Sequence, residues 1–214
     1  MTPRTPTKSR RLNRAEKREA NRERILRAGR SVFGARGFHA ATIDEIADEA
    51  GLSNGAIYYN FESKADLFFA LLDERQEERI RHLRRTLATA PGAGPRDAGF
   101  EEEAGDATRS LKESRDWRLL MFEFVAHAVR TPTLAPKLRE HKRRFRAALA
   151  ELLEKRLSDR VPSMPIDDLA LATIALTNGL AFEEVSDPGS VPATLLGDLL
   201  AVLLARPAAG TEKS

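Results

Sequence analysis

The sequence predicts an all-α fold of about nine helices, and three observations support that prediction. Apolar residues recur at i, i+3 or i+4, and i+7 along most of the 214-residue chain, which is the spacing of one helix face. No stretch shows the alternation of apolar and polar residues that predicts a half-buried strand. Glycine and proline clusters separate the periodic stretches, as is typical of helix ends and loops.

The first two helices are predicted from where the apolar periodicity starts and stops. An apolar stripe covers residues 15–35, and Gly37 then ends that helix. Thr42 and Glu45 have the spacing of a capping box, in which the Thr hydroxyl and the Glu carboxylate each bind a backbone N–H. A second, short helix therefore begins after Thr42.

A tight turn joins the second helix to a third. Gly51 can adopt the left-handed conformation that ends a helix, and Ser53 can cap the helix over residues 54–60. Ser63 starts a long fourth helix, which a glycine- and proline-rich stretch at residues 91–95 terminates. Two short helices joined by a glycine turn behind an earlier helix are typical of a helix-turn-helix, whose second helix enters the major groove of DNA.

Beyond residue 95 the chain continues as helices with fuller apolar faces. These are predicted around residues 100–111, 117–128, 134–157, 166–185 and 192–205. The resulting domain organisation is a disordered basic arm over 1–14, a helix-turn-helix domain over 15–62, a C-terminal helical domain over 63–206 with 63–90 as a connecting helix, and a tail over 207–214.

Composition narrows the class of protein. The absence of cysteine excludes disulfide scaffolds, thiolate metal sites and cysteine nucleophiles. The longest apolar run, residues 199–205, is too short to cross a bilayer, and the Arg-rich start has no apolar stretch behind it that would make it a secretory signal. We therefore expect a soluble, cytoplasmic protein.

Charge is distributed unevenly along the chain. Residues 1–36 carry a net charge of +9, whereas the remaining residues sum to −6. A basic end on a mildly acidic body indicates a polyanionic partner, either nucleic acid or an anionic membrane surface. A solvated tail that aids solubility is the alternative explanation of the same charge.

The third predicted helix has a composition that suits contact with DNA. Asn54 can form two hydrogen bonds with adenine, Gly55 permits close approach of the backbone, and the tyrosine hydroxyls can reach phosphate. Thr42 and Lys64 lie at helix starts on either side, where backbone N–H groups and a cation can hold phosphates. The simpler alternatives are that Thr42 is only a helix cap and that Lys64 is a solvated charge.

This part of the sequence resembles the DNA-binding domain of the TetR family of transcriptional regulators. The resemblance covers about residues 20–70 and rests on residues 50–61 with Ser63, Lys64 and Leu67, and on Arg24, Ile25, Leu26, Phe33, Gly37, Thr42, Ile46 and Ala47. Asn60 stands where the family often has histidine. The resemblance implies DNA contacts from Thr42, Asn54, Gly55, Ala56, Tyr58, Tyr59, Asn60 and Lys64.

The resemblance also implies a function. It implies a homodimeric repressor that binds a palindromic operator and is released by a small-molecule effector. Two alternatives remain, namely a regulator of the same fold without an effector, and an all-α interaction module or enzyme. A membrane partner is not expected, because the Arg-rich stretch lacks a large apolar face. No enzyme activity, cofactor or metal is predicted, because the four histidines lack ligand spacing and no phosphate loop or dinucleotide fingerprint is present.

The last two predicted helices carry more apolar surface than one small domain easily covers. A four-helix bundle formed with a second copy would bury that surface, and burial within one protomer is the alternative. Dimerisation would place two recognition helices about 34–36 Å apart, which is one turn of DNA. The predicted interface consists of Leu169, Thr173, Leu176, Leu180, Leu196, Leu199, Leu200 and Leu203.

An effector cavity in the helical body is implied by the resemblance, and residue type alone supplies candidates for its lining. These are aromatic or polar residues near helix middles: Phe100, Trp117, Met121, Phe124, His127, Phe145, Asn178 and Phe182. His127 and Asn178 are the strongest candidates, because a polar group on an apolar face needs a partner. For the others, ordinary core packing is the alternative.

Overall fold

The computed structural model describes residues 13–89, 115–157 and 164–204. Within these ranges the chain forms eight helices and no strand, which confirms the all-α prediction. The helices are α1 (Arg14–Ala40), α2 (Ile43–Ala50), α3 (Asn54–Asn60), α4 (Lys64–Thr89), α5 (Arg115–Arg130), α6 (Ala135–Leu157), α7 (Ile166–Ser186) and α8 (Leu195–Leu204). Three predicted segments lie outside the described ranges: the helix around residues 100–111, residues 1–12 of the arm, and the tail at residues 207–214.

Helix α1 is longer than its apolar stripe predicts. It begins in a capping box, in which the Asn13 side chain accepts the Glu16 N–H at 2.9 Å and the Glu16 carboxylate accepts the Asn13 N–H at 2.7 Å. The predicted end at Gly37 is a break instead: this residue has φ of 79°, and helical structure resumes up to Ala40. Glycine adopts that angle without strain, and Phe38 directly after it is buried in the core.

The described residues divide into two compact units after Leu71. In the first unit α1 packs against α2 and α3 around three aromatic rings. The ring centroids of Phe33, Phe38 and Phe68 lie 5.2–5.9 Å apart, in stacked and edge-on contacts that each add about 0.5–1.5 kcal/mol beyond burial. Ile46 and Ile57 are fully buried, and they attach α2 and α3 to the same unit.

In the second unit α6 packs against α7, with α5 on both of these helices and α8 on α7. The main core consists of Leu149, Ala150, Leu153 and Leu157 of α6 with Leu169 and Ala170 of α7. A smaller cluster joins α7 to α8 through Ala181 and Leu196. The Glu184 carboxylate accepts the N–H groups of Gly189 and Val191 at 3.1 and 3.2 Å, so two backbone donors of the loop between α7 and α8 are satisfied by one buried side chain.

This packing corrects the predicted dimer interface. Leu169 and Leu196 are 0% and 1% exposed, so they belong to the core of one protomer and cannot contact a partner. Leu180 and Leu200 pack against the smaller cluster and Leu203 against the main core, while Thr173, Leu176 and Leu199 are partly buried. The large apolar side chains that α7 and α8 expose are instead Leu171, Phe182 and Val202.

A buried histidine joins α4 to α6 in the second unit. His141 is 3% exposed, with Nδ1 2.9 Å from Asp73 Oδ1 and Nε2 2.7 Å from Gln76 Nε2. A carboxylate accepts and an amide nitrogen donates, so this geometry selects the neutral ring protonated on Nδ1. Burial lowers the pKa of His141; the hydrogen bond and charge of Asp73 oppose that shift, whereas the charges of Arg144 and Lys142 add to it.

We expect His141 to make the second unit less stable in mild acid. Because its pKa in the folded state is below the ordinary value of 6.5, the unfolded chain binds the proton first as the pH falls. The free energy of unfolding therefore decreases below about pH 6.5, by at most about 1.4 kcal/mol per pH unit. Urea unfolding at a series of pH values will show a shallower slope for His141→Gln.

The matched control is His39→Gln, because His39 is exposed on α1. This variant shows how much of any change in slope comes from replacing a histidine outside the second unit. An equal slope in the wild type and His141→Gln would contradict the prediction.

Candidate nucleic-acid interface

The helix-turn-helix is formed by α2, α3 and the turn between them. Thr42 Oγ1 accepts the Glu45 N–H at 3.2 Å, and the Glu45 carboxylate accepts the Thr42 N–H at 3.1 Å. Gly51 ends α2 with φ of 60°, and Ser53 Oγ accepts the Ala56 N–H at 3.3 Å at the start of α3. The predicted capping box, glycine turn and serine cap are all confirmed.

Arg24 of α1 holds this turn in place. Its Nη2 donates to the carbonyl oxygen of Ala50 at 2.6 Å and to that of Gly51 at 3.1 Å. Both carbonyls lie at the C-terminal end of α2, where the helix dipole is negative and the last oxygens lack helical partners. In the sequence, Arg24 is recognisable only as part of the family pattern, and no local signal predicts its role in the turn.

One face of α3 is exposed and the opposite face is buried. Tyr58 and Tyr59 are 56% and 65% exposed, whereas Ile57 is fully buried. Asn54 and Gly55 at the start of the helix are exposed as well. This outer face offers an amide, two phenol groups and a site of close backbone approach, which are the groups that contact base edges and phosphates.

The amide side chains of α3 have partners within the protein. Asn54 Nδ2 donates to Oδ1 of Asp44, which lies in the first turn of α2. Asn60 Nδ2 donates to the carbonyl oxygen of Ala56 at 2.8 Å, one turn earlier in the same helix. The Asn60 amide therefore caps its own helix, and the Asn54 amide connects the two helices of the motif.

Lys64 has a structural role in addition to the predicted one. Its Nζ donates to the carbonyl oxygens of His39 at 3.1 Å and Ala41 at 2.7 Å, and lies 4.9 Å from the centroid of the Phe38 ring. The ammonium thus holds the C-terminal end of α1 beside the start of α4. The simple alternative of a solvated charge is wrong, because the side chain is partly buried on these partners.

The eight predicted DNA contacts belong to the N-cap of α2, to α3 and to the first residue of α4. Thr42, Asn54, Gly55, Tyr58 and Tyr59 are exposed, and Ala56, Asn60 and Lys64 are partly buried.

Three further cations border residues 42–64, although in the sequence they contribute only to the net charge of the N-terminal part. The guanidinium of Arg18 lies 5.5 Å from the Tyr59 ring centroid, and that of Arg22 lies 4.8 Å from the Phe61 ring centroid. Arg36 Nη2 is 3.1 Å from Glu45 Oε1, within the capping box of α2. The four-residue spacing of Arg18 and Arg22, which places both on one face of α1, is the signal that could have found them.

The second unit carries an open groove of about 480 Å³ between α4 and α6. Ile80, Phe145 and Ala148 give it apolar surface. Its polar and charged lining consists of Asp73, Gln76, Glu77, Arg81, Arg84 and Arg144. Arg144 Nη2 lies 3.1 Å from Asp73 Oδ1, beside the buried His141.

Of the predicted effector contacts, Phe145 lines this groove. Trp117, Met121 and His127 are partly buried on α5, and Phe124 is fully buried in the core. Asn178 and Phe182 are exposed on α7, and the Phe182 ring lies 5.5 Å from the ring of Phe122 on α5, so among the described residues neither lines the groove. Phe100 lies outside the described residues.

The described residues contain neither a metal-binding cluster nor a candidate membrane span. In that part of the chain, no group of three or more His, Asp or Glu side chains is arranged to hold a metal ion. None of the helices described combines the length and the apolar content that a membrane span needs.

Comparison with known proteins identifies the family. Residues 25–71 match the family described as "Bacterial regulatory proteins, tetR family", and residues 106–207 match that described as "BetI-type transcriptional repressor, C-terminal". The chain belongs to the TetR family. The first match contains the whole helix-turn-helix of this TetR-family chain, and the second covers α5 to α8.

Individual relatives agree with this assignment. The transcriptional activator FasR of Mycolicibacterium smegmatis is 41% identical over 72 residues, which are 34% of this chain and 33% of FasR. The transcriptional regulator UidR of Escherichia coli K12 is 27% identical over 142 residues, 66% of each chain. The chain therefore matches between a third and two thirds of the length of these relatives.

A solved structure shows that the TetR fold extends through the second unit. FadR from Bacillus subtilis, crystallised in complex with stearoyl-CoA, has a TM-score of 0.62 and covers 85% of this chain and 96% of its own. The two sequences are 16% identical, so this likeness shows the fold alone.

We expect Arg24→Ala to loosen the turn between α2 and α3. Loss of two charge-assisted hydrogen bonds at a partly exposed site should lower the free energy of unfolding by about 1–2 kcal/mol. Chemical denaturation followed by tyrosine fluorescence measures this change, because the only two tyrosines of the chain, Tyr58 and Tyr59, lie in α3.

Arg27→Ala is the matched control, since Arg27 is exposed on the same helix and its loss removes the same charge. Its effect should stay within about 0.5 kcal/mol. Equal effects of the two substitutions would show that the hydrogen bonds to the turn contribute nothing.

Proposed function

We propose that this protein is a homodimeric repressor that binds a palindromic operator and releases it on binding a small molecule. The observation that carries the DNA-binding part is the exposed face of α3, where Asn54, Tyr58 and Tyr59 lie on a helix whose other side is core. In a helix-turn-helix this second helix enters the major groove and its first residues meet base edges.

The elements around α3 supply the contacts that hold DNA without regard to sequence. The N-terminal end of α2 presents the positive end of the helix dipole and the exposed Thr42 hydroxyl, and Arg36 lies beside it at Glu45. Arg18 lies next to Tyr59 on the other side of the recognition helix. Phosphate contacts of this kind position a protein on the duplex, and base contacts from α3 then select the sequence.

The experiment that tests this proposal is selection of bound fragments from genomic DNA, followed by titration of a labelled selected duplex. We expect one duplex to bind in preference to a scrambled sequence. Tyr59→Ala should weaken that specific binding about tenfold or more, which corresponds to about 1.4 kcal/mol.

Val129→Ala is the control, because Val129 is 62% exposed on α5 in the second unit. It should leave binding unchanged. A chain that prefers no duplex, or a Tyr59→Ala variant that binds like the wild type, would favour the alternative of an all-α interaction module.

The proposed dimer uses the apolar side chains that one protomer leaves exposed. Leu171 and Phe182 share a face of α7 because they are eleven residues apart, about three helical turns, and Val202 of α8 is 75% exposed. Exposed Ala175 and Gly179 lie between them on α7 and would permit close approach of a second helix. Pairing of α7 and α8 with their copies would make a four-helix bundle.

We expect the double substitution Phe182→Glu with Val202→Glu to give monomers, because it places four charges in the bundle. Sedimentation velocity of the wild type and the variant measures the change. Val129→Glu, an equally exposed apolar site on α5, is the control and should remain dimeric. A double variant that still sediments as a dimer would place the interface elsewhere.

The proposed effector site is the groove between α4 and α6. Ile80, Phe145 and Ala148 beside the arginines of its rim suit a molecule with an apolar body and an anionic group. FadR, which has the same fold, was crystallised with stearoyl-CoA, a ligand of that kind. The groove lies along α4, the helix that leads on from the DNA-binding unit.

Release of DNA requires that the effector bind the DNA-free conformation better than the bound one. A thermal-shift screen of amphipathic anions, followed by titration of the protein–DNA complex with each compound that raises Tm, separates two possibilities. Compounds that raise Tm and release DNA support the proposal. If none does so, the effector-independent regulator is favoured.

A repressor is proposed over an activator because residues 106–207 match a C-terminal domain described as that of a repressor. FasR, the relative with 41% identity, is an activator, but its similarity covers only 34% of this chain. A reporter placed behind the selected operator distinguishes the two, since deletion of a repressor raises expression and deletion of an activator lowers it.

A further inference from the structure

A hydrogen bond between the two helices of the motif bears on which base α3 recognises. Asn54 is the first residue of α3, and its Nδ2 donates to Oδ1 of Asp44 in the first turn of α2. Both side chains are exposed, and Asp44 lies ten residues before Asn54. The pair is therefore located where the recognition helix begins, on the surface proposed to face DNA.

The chemistry of Asp44 fixes the orientation of the Asn54 amide. An ionised carboxylate only accepts hydrogen bonds, so the NH₂ group of Asn54 must face Asp44 and the carbonyl oxygen Oδ1 must face away. The two oxygens also repel one another, which favours donation through the hydrogen anti to Oδ1. The remaining amide hydrogen then lies on the same edge as Oδ1, and the side chain offers one acceptor and one donor together.

In the major groove that pair of groups matches one base. Adenine presents the N7 acceptor beside the N6 amino donor, whereas guanine presents two acceptors, thymine one acceptor and cytosine one donor. We propose that Asp44 is a positioning residue that orients Asn54 so that each DNA-binding head selects an A·T pair at one position of its half-site. The inference rests on the proposed function, because it requires that α3 lie in the major groove.

The negative charge of Asp44 should affect specific and non-specific DNA binding differently from its hydrogen bond to Asn54. Its carboxylate lies beside the proposed phosphate-binding end of α2, where a negative charge opposes the approach of DNA. Removing that charge should strengthen binding to every duplex, while removing the hydrogen bond should weaken the choice of base. Substitutions that keep one property and remove the other can therefore distinguish the two roles.

The test is selection from a library of randomised duplexes, followed by sequencing, with the wild-type chain, four variants and a fifth variant as control. The wild type should favour adenine at one position of each half-site, about five- to a hundredfold over other bases. Asn54→Ala and Asp44→Ala should both lose that preference at the same position, and the double variant should lose no more than either. Asp44→Asn, which keeps an acceptor oxygen but not the charge, should retain it.

Asp48→Ala is the matched control, because Asp48 is an exposed acid on the same helix and its loss removes the same charge. It should keep the wild-type preference. Alanine is well tolerated in exposed helical positions, and thermal melts of each variant verify that it is folded.

An Asp44→Ala variant that keeps the adenine preference, or an Asn54→Ala variant that does not lose it, would overturn the inference. If the wild type enriches no sequence at all, the proposed function itself is wrong.

Discussion

The proposed contacts with base edges depend on the angle at which α3 leaves α2. Gly51 sets that angle with a left-handed backbone, and Arg24 binds the carbonyl oxygens of Ala50 and Gly51 at the end of α2. A Cβ at position 51 would be strained by its φ and would lie 3.1 Å from Arg24 Nη2. The turn is therefore fixed both by the backbone of Gly51 and by Arg24 of α1. This fixes the orientation of α3, and with it the positions of the side chains that α3 presents to DNA.

The helix-turn-helix could be predicted because its determinants are local. Thr42 with Glu45, and Ser63 with Asp66, are capping pairs three residues apart, and both form in the structure. The contacts of Arg24 and Lys64 span 23 to 27 residues, and nothing in the local pattern indicates which cation meets which carbonyl. The sequence therefore predicted the helices and caps of the site. The long-range contacts that hold these helices together are visible only in the three-dimensional structure.

For α5 to α8 the sequence predicted where the helices lie along the chain, but not which of their faces are buried. Helix α7 carries two apolar stripes, and periodicity gives the angle between residues on a helix but not the side that faces the core. Leu169 faces the core, and Leu171, two residues later, is exposed. The groove between α4 and α6 was missed for a related reason. Much of its lining is charged, as Arg81 and Arg144 show, and charged residues at helical spacing look like a solvated face.

The internal contacts of the basic residues affect how DNA binding responds to ionic strength. A protein releases about 0.9 counterions for each phosphate that it neutralises on B-form DNA. Arg24 and Lys64 are bound to backbone carbonyls, and Arg36 is paired with Glu45. Arg24 and Arg36 belong to the +9 charge of residues 1–36, so DNA binding should neutralise fewer phosphates, and release fewer ions from DNA, than that charge suggests. A larger share of the affinity then comes from contacts that salt does not screen, and those are the contacts that distinguish one sequence from another.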